Sequence, residues 1–256
     1  MRVDDRLRFG EPSVVLPDVT PTAHLRLLGG FELRVGARPI ALSLGPQRLL
    51  AFLALHTRPA TRSSVAGTLW PEAAEERAAA NLRSTLWRIR RTRLSLVSTM
   101  GSYLGLEPAV RVDVRDSIGA ARRLLDAQAG ERDLDAAEVA LQGDLLPDWD
   151  DDWALLERER FRQIRLHALE RRCDLLAAQG RSSDAIEAGL AVVAAEPLRE
   201  SAHRSLIRAH LAEGNRAEAL RQFSLYCRLM QDELGLEPSP EISGLVRPLV
   251  ASVTRS

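Results

Sequence analysis

The 256-residue chain contains no lysine; all 35 of its basic residues are arginine. Such uniform usage points to a GC-rich coding sequence rather than to chemistry, so the positions of the arginines carry the information. Cysteine is scarce. Cys173 and Cys227 have no CxxC spacing, which excludes a disulfide framework and a cysteine metal site and predicts free thiols in a reducing compartment. No apolar run approaches the length needed to span a bilayer. The N-terminus MRVDDRLRFG mixes acids with arginines and lacks an apolar signal core. Together these absences predict a cytoplasmic protein with no membrane partner. GxSxG, HExxH and a glycine-rich phosphate loop are all missing, so no enzyme, cofactor or catalytic residue is predicted. His167, His203 and His210 fall on helical stretches without nearby cysteine or suitably spaced carboxylates, and read as satisfied surface or core histidines rather than metal ligands.

Net charge is also absent, but only in sum. Residues 24–112 carry 13 arginines and 5 acids; residues 113–256 carry 19 arginines and 26 acids. A basic part that can be drawn to a polyanion is thus joined to an acidic part that one would repel. The length allows one large or two small domains, each with its own core.

Residues 1–23 hold three prolines and no sustained period, and read as a flexible tail. From Leu25 to Leu44 the pattern is strand-like: Phe31, Leu33 and Val35 alternate with Glu32 and Arg34, between Gly29-Gly30 and Val35-Gly36-Ala37-Arg38 turns. Three helices follow. Pro46 can open the first, with Leu49, Leu50, Leu53 and Ala54 inward. Thr61 is a candidate N-cap for the second, Arg62 to Trp70, which Pro71 ends. The third is Arg77 to Leu94. Leu96-Val97-Ser98 and Tyr103-Leu104-Gly105-Leu106 then read as two strands around Met100-Gly101-Ser102, and Val110 to Val114 as a further alternation. Strands, three helices and a hairpin are the order of a winged helix-turn-helix, whose third helix enters the DNA groove.

That third helix has two unlike sides. Ala78, Leu82, Leu86, Ile89 and Arg93 recur at spacings of three and four and share a core-facing side. Arg77, Ser84, Trp87, Arg88 and Arg91 face outward, with Asn81, Arg83 and Arg90 on the flanks. Six arginines occur between Arg77 and Leu94 with no acid. A solvated helix face ordinarily mixes both signs. The DNA major groove admits an α-helix and is read by arginine, asparagine and serine, so Arg77, Asn81, Arg83, Ser84, Trp87, Arg88 and Arg91 are the candidate DNA-binding residues. Trp87 has a second reading, packed beneath the wing. Arg93, on the core side by period, reads as a salt-bridge partner or a frayed end.

Beyond Asp116 strand signals vanish, and Ala120–Ala127, Leu134–Leu141, Trp153–Gln179, Ser183–Ala195, Leu198–Glu213 and Ala217–Leu234 read as helices. GRSSDAI at Gly180–Ile186 recurs as GNRAEAL at Gly214–Leu220, an offset of 34 residues, the tetratricopeptide period. The small residue of that repeat falls on Ala185 and Ala219. Its closing proline falls on Pro197 but on Gln231 in the second copy. Asp148, Asp150, Asp151 and Asp152 cluster between Trp149 and Trp153. Lacking the calcium-loop pattern, they read as caps favouring the positive end of the following helix, or as a surface for a basic partner.

These words in this order resemble the Streptomyces-type antibiotic regulatory proteins and their bacterial transcriptional activator domain relatives. The resemblance rests on LRLLGGFEL (25–33), QRLLAFLAL (47–55), TLWPEAAEERAAANLRSTLWRIRR (68–91) and VRVDV (110–114). It continues through GDLLPDWDDDW (143–153), ERERFRQIRLHALE (157–170), PLRESAHRSLIRAHLAEGNRAEALRQF (197–223) and ELGLEPSP (233–240). It implies a mainly α protein with a small β part: an OmpR-type winged helix-turn-helix domain over residues 24–114, then an all-α tetratricopeptide-like activator domain over 115–256. It further implies an activator that binds direct repeats in double-stranded DNA, as a homodimer on DNA, and contacts RNA polymerase. No receiver-like segment and no P-loop accompany these words, so aspartyl phosphorylation and an ATPase part are not expected. The wing turn Met100-Gly101-Ser102 carries no cation, which speaks against strong minor-groove contact there. The rival reading is a protein-interaction scaffold whose winged helix no longer binds DNA.

Overall fold

The computed structural model describes residues 22–253. All but the last two residues of the expected 1–23 tail lie outside them. Ala23 is already in a strand, β1 (Ala23–Arg26), which pairs antiparallel with β2 (Glu32–Val35), Leu25 opposite Leu33. With β3 (Arg38–Pro39) and β7 (Arg111–Val112) they form a sheet of order β3-β2-β1-β7, β7 lying parallel to β1. The inward row of this sheet, Leu25, Leu33 and Val112, is buried against the helices.

The first helix, α1 (Leu44–Leu55), begins two residues before Pro46. Proline is tolerated there because first-turn N–H groups have no intrahelical partner. Leu49, Leu50, Leu53 and Ala54 are buried as expected, and Phe52 with them. In α2 (Arg62–Leu69) the Thr61 hydroxyl accepts a hydrogen bond from the Ser64 backbone N–H at 3.2 Å, so the predicted cap is present. Next comes α3 (Glu75–Arg91), and then the hairpin of β5 (Val97–Met100) and β6 (Tyr103–Leu106). The short β4 (Ala60–Thr61), just before α2, pairs with β6 to make a second sheet of order β4-β6-β5.

Val110, Val112 and Val114 are all buried, but the strand stops at Val112 and α4 (Asp113–Leu125) starts at once, seven residues before the expected Ala120. After it come α5 (Glu131–Ala140), α6 (Asp152–Ala178), α7 (Ser182–Ala195), α8 (Glu200–Ala212), α9 (Arg216–Leu234) and α10 (Pro240–Val253). The 34-residue repeat is visible as geometry. Gly180 and Gly214 take φ of 76° and 84° between helices, a left-handed conformation that favours glycine. Ala185 and Ala219 are both fully buried. Where Pro197 follows the end of α7, Gln231 permits α9 to continue to Leu234. No sequence signal predicted α10; it carries Pro248 in its interior and buries Ile242 and Val246 against Tyr226 and Met230 of α9.

Two cores meet along α4 and α6. The helical one gathers Leu124, Leu134, Leu166, Cys173, Leu176 and Val192. The other contains the leucines of β1, β2 and α1–α3 together with Leu145, Leu146 and Phe161, with Trp149 and Trp153 packed against it. Trp153 meets the Phe52 ring edge-on at 5.5 Å, and Trp149 lies 6.0 Å from Trp153 and 6.2 Å from Phe31. The segment 144–149 is pinned by backbone and guanidinium. Leu146 N–H donates to the Leu27 carbonyl, Gly29 N–H to that of Asp144, and Arg158 to those of Leu145, Leu146 and Trp149. Leu146 itself takes a positive φ of 43°, a left-handed conformation unusual for leucine.

The acidic cluster meets the expectation in part: Asp152 lies in the first turn of α6, where a negative charge favours the helix's positive end. Asp151 occupies the N-cap position of α6, but its side chain makes no capping bond; it pairs with Arg48 of α1 instead. A charged group from a distant element outcompeted the local N–H donors. Among the described residues no helix is long and apolar enough to cross a membrane.

Candidate nucleic-acid interface

The geometry of α3 follows from its sequence. Ala78, Leu82, Leu86 and Ile89 are buried, joined by Thr85. The helix begins two residues before Arg77 and so includes Glu75 and Glu76, which favour its positive end. It stops at Arg91, three residues short of Leu94. Arg93 is therefore not on its core side: it is exposed, with φ of 61°, a left-handed residue just past the helix end. The Thr92 hydroxyl, which donates to the Ile89 carbonyl at 2.7 Å, helps to close the last turn.

The outward face is placed as the period predicts. Arg77, Arg83, Ser84, Trp87 and Arg88, like Arg90 and Arg91, are exposed, and Asn81 is half-buried at the edge. Trp87 is 57% exposed, which overturns the alternative of an indole packed under the wing. One turn on, the Arg91 guanidinium lies over the Trp87 ring, 4.9 Å from its centroid. This contact costs the arginine little solvation and restricts its reach to one direction.

Among the described residues, this face lacks the ion pairs that several arginines of the helical half make. Arg123, Arg160, Arg162, Arg165, Arg172, Arg181, Arg199 and Arg221, all in the helical half, each pair with a carboxylate. Among the described residues, Arg77, Arg83, Arg88, Arg90 and Arg91 pair with none; the ion pairs of the N-terminal half lie on the first sheet and at Arg48. An unneutralised guanidinium row on a rigid helix attracts phosphate and can donate in bidentate fashion to a base edge.

Two features of the hairpin turn were missed by sequence reasoning. The Arg62 backbone N–H donates to the Ser102 carbonyl at 2.9 Å, tying the start of α2 to the hairpin turn. At that turn Met100 and Tyr103 stand directly opposite one another and are 68% and 48% exposed. Strand alternation puts them on the side away from buried Leu104 and Leu106. The turn carries no cation, and its apolar exposure is legible in the same residues.

The chain matches the bacterial transcriptional activator domain family over residues 112–249. Regulatory protein AfsR of Streptomyces coelicolor is 32% identical over 260 residues, covering 95% of this chain and 26% of that protein. AfsR of Streptomyces griseus is 28% identical over 255 residues, with 94% and 26% covered. The chain thus spans about a quarter of the length of these relatives. The solved structure of Mycobacterium tuberculosis EmbR, in complex with a low-affinity phosphopeptide, superposes with a TM-score of 0.77 at 20% identity, over 90% of this chain and 65% of that one. That likeness establishes a shared fold: mainly α with a small β part, a winged helix followed by an all-α unit. The matched length and the ordered identity across both halves make this chain a member of the bacterial transcriptional activator domain family of transcription regulators.

Proposed function

We propose that the chain is a sequence-specific DNA-binding activator that places α3 in the major groove and presents its helical half to RNA polymerase. The DNA-binding unit is residues 24–114 and the activator unit 115–256. The observation that carries this reading is the row of exposed, carboxylate-free arginines on α3. Arg77, Arg83, Arg88 and Arg91 neutralise phosphates or read guanine, Asn81 and Ser84 read base edges, and Trp87 supports Arg91. Each bidentate base contact contributes ~1–3 kcal/mol of discrimination. Side-by-side binding of two copies to direct repeats, in the cytoplasm, completes the proposal.

The test is the double variant Arg88→Ala/Arg91→Ala, assayed on genomic fragments that the wild type selects. Binding should weaken by at least tenfold with the far-UV circular dichroism unchanged. If both arginines touch phosphate, the slope of log K against log salt should become shallower by about two. Unchanged affinity would refute the assignment of α3. A protein that retains no DNA at low salt yet co-purifies with another polypeptide would favour the scaffold reading.

A further inference from the structure

A cavity of about 380 Å³ opens where α1, α4 and α6 converge, away from the outward face of α3. Its size falls within the range of small-molecule sites. Its walls come from both cores. Phe161 is buried in the first, while Leu55 and Ile118 pack only partly against it; Ile164 packs partly against the second. Leu55, Ile118 and Ile164 each keep apolar surface that neither core covers.

The polar groups around this apolar hollow are mainly cationic. Arg115, Arg122 and Arg160 line it, against one carboxylate, Glu157. Glu157 is already engaged by Arg160 at 2.8 Å. Arg122 is exposed and, among the described residues, pairs with no acid. Arg115 donates through Nε to the Ala54 carbonyl and through Nη2 to those of Leu53 and His56, which, among the described residues, leaves Nη1 without a hydrogen bond. Burial pulls its guanidinium below the usual arginine range.

Gly119 adds a separate observation. It lies in the middle of α4, where glycine weakens a helix relative to alanine. A Cβ there would meet only the Arg123 Nη1 atom, at 3.5 Å, so packing does not demand the glycine. Its missing side chain leaves the lip of the cavity open.

We propose that this cavity binds a small apolar monocarboxylate, of medium-chain or aryl acid size, with the hydrocarbon against Leu55, Ile118, Phe161 and Ile164 and the carboxylate at Arg122 and Arg115. Charge complementarity selects the acid over its neutral isostere, and the apolar walls exclude small hydrophilic anions. A ligand there touches α1 and α6 at once and braces the two halves of the protein against each other.

The experiment titrates the full chain with sodium octanoate and, in parallel, with octanamide, by isothermal calorimetry below the micellar range. Octanoate should bind saturably and at least tenfold more tightly than octanamide. Arg122→Gln, at an exposed position, should cut the preference for octanoate severalfold, with Arg115 retaining the rest, and an unchanged preference would overturn the proposal. Gly119→Leu should abolish binding of both while keeping or raising the melting temperature, which separates a blocked site from a failed fold. Absence of saturable octanoate binding, equal affinity for the amide in the wild type, or undiminished binding in folded Gly119→Leu would each overturn the proposal.

Discussion

Replacing Asp113 with alanine should be among the most damaging single changes outside the hydrophobic cores. The carboxylate closes the junction between β7 and α4. Its Oδ1 accepts from Leu27 N–H at 2.9 Å and from Val114 N–H at 2.7 Å, and its Oδ2 from Leu28 N–H at 3.0 Å. Leu27 is fully buried, so its N–H has no water to fall back on. A hydrogen bond to a charged group is worth ~1.5–3 kcal/mol, and stranding a buried donor costs ~1–3 kcal/mol. Val114 N–H lies in the first turn of α4 and can be rehydrated, so two bonds count. Asp113→Ala should therefore cost about 3–5 kcal/mol. At roughly 2–4 °C per kcal/mol for a chain of this length, the melting temperature should fall by about 6–20 °C. Asp113→Asn keeps one acceptor oxygen and should lose about half as much. Thermal unfolding followed by circular dichroism, at fixed pH and salt, reads both. An alanine variant melting within 2 °C of the wild type would show that the end of β1 is held by something other than this carboxylate.

Other outcomes follow from the same geometry. Trp87→Ala removes the ring beneath Arg91; because Trp87 is mostly exposed the fold should be unaffected, while DNA affinity drops about two- to fivefold, the equivalent of an exposed cation–π contact of ~0.5–1 kcal/mol. Trp87→Phe should recover part of that loss, and fluorescence anisotropy with a selected fragment would measure both. Buried His203 is held neutral between the Pro197 carbonyl, on Nε2, and Gln222, on Nδ1, and burial lowers its pKa. The unfolded chain therefore takes up the proton first: stability is full above about pH 6.5 and declines as pH falls through the range between the unfolded and folded values. Melting temperatures from pH 8 to 5 should show that decline, and His203→Gln should flatten it. Burial pushes the Cys173 thiol up to about 12, and Cys227, only partly buried, is raised as well. A disulfide-exchange reagent should label Cys227 well before Cys173 in the native protein, and equal rates would contradict the packing of α6 against α7 and α8.

Much of the fold is legible because its signals are local. The buried side of α3 and the Thr61 cap depend on residues a few positions apart, and the echo of Gly180 at Gly214 is a short word repeated at a fixed period. The outward orientation of Arg77, Arg83, Ser84, Trp87, Arg88 and Arg91 follows from the same period. What sequence missed is mostly non-local. Val110–Val114 alternates like a strand, yet Asp113 is drawn to Leu27 and Leu28, far away in sequence, and the helix begins there. Asp151 has the position of a cap, but Arg48 lies within reach only once α1 and α6 have packed. Pro240 and Pro248 masked α10, because proline at a helix start is favourable and an interior one is tolerated where tertiary contacts hold the helix. Arg93 falls on the core side by period, but the helix ends at Arg91 and the residue sits just past it, which fits the frayed-end reading and not a core position.

The dependence of the N-terminal core on Leu145, Leu146 and Phe161 has a consequence for how the protein is made. A growing polypeptide that has reached only Val114 still lacks the side chains that cover the back of α1, and Phe52 has no indole to meet. The N-terminal core is thus completed only after the start of α6 has left the ribosome. Any excised N-terminal fragment must extend through Phe161 to keep its interior dry.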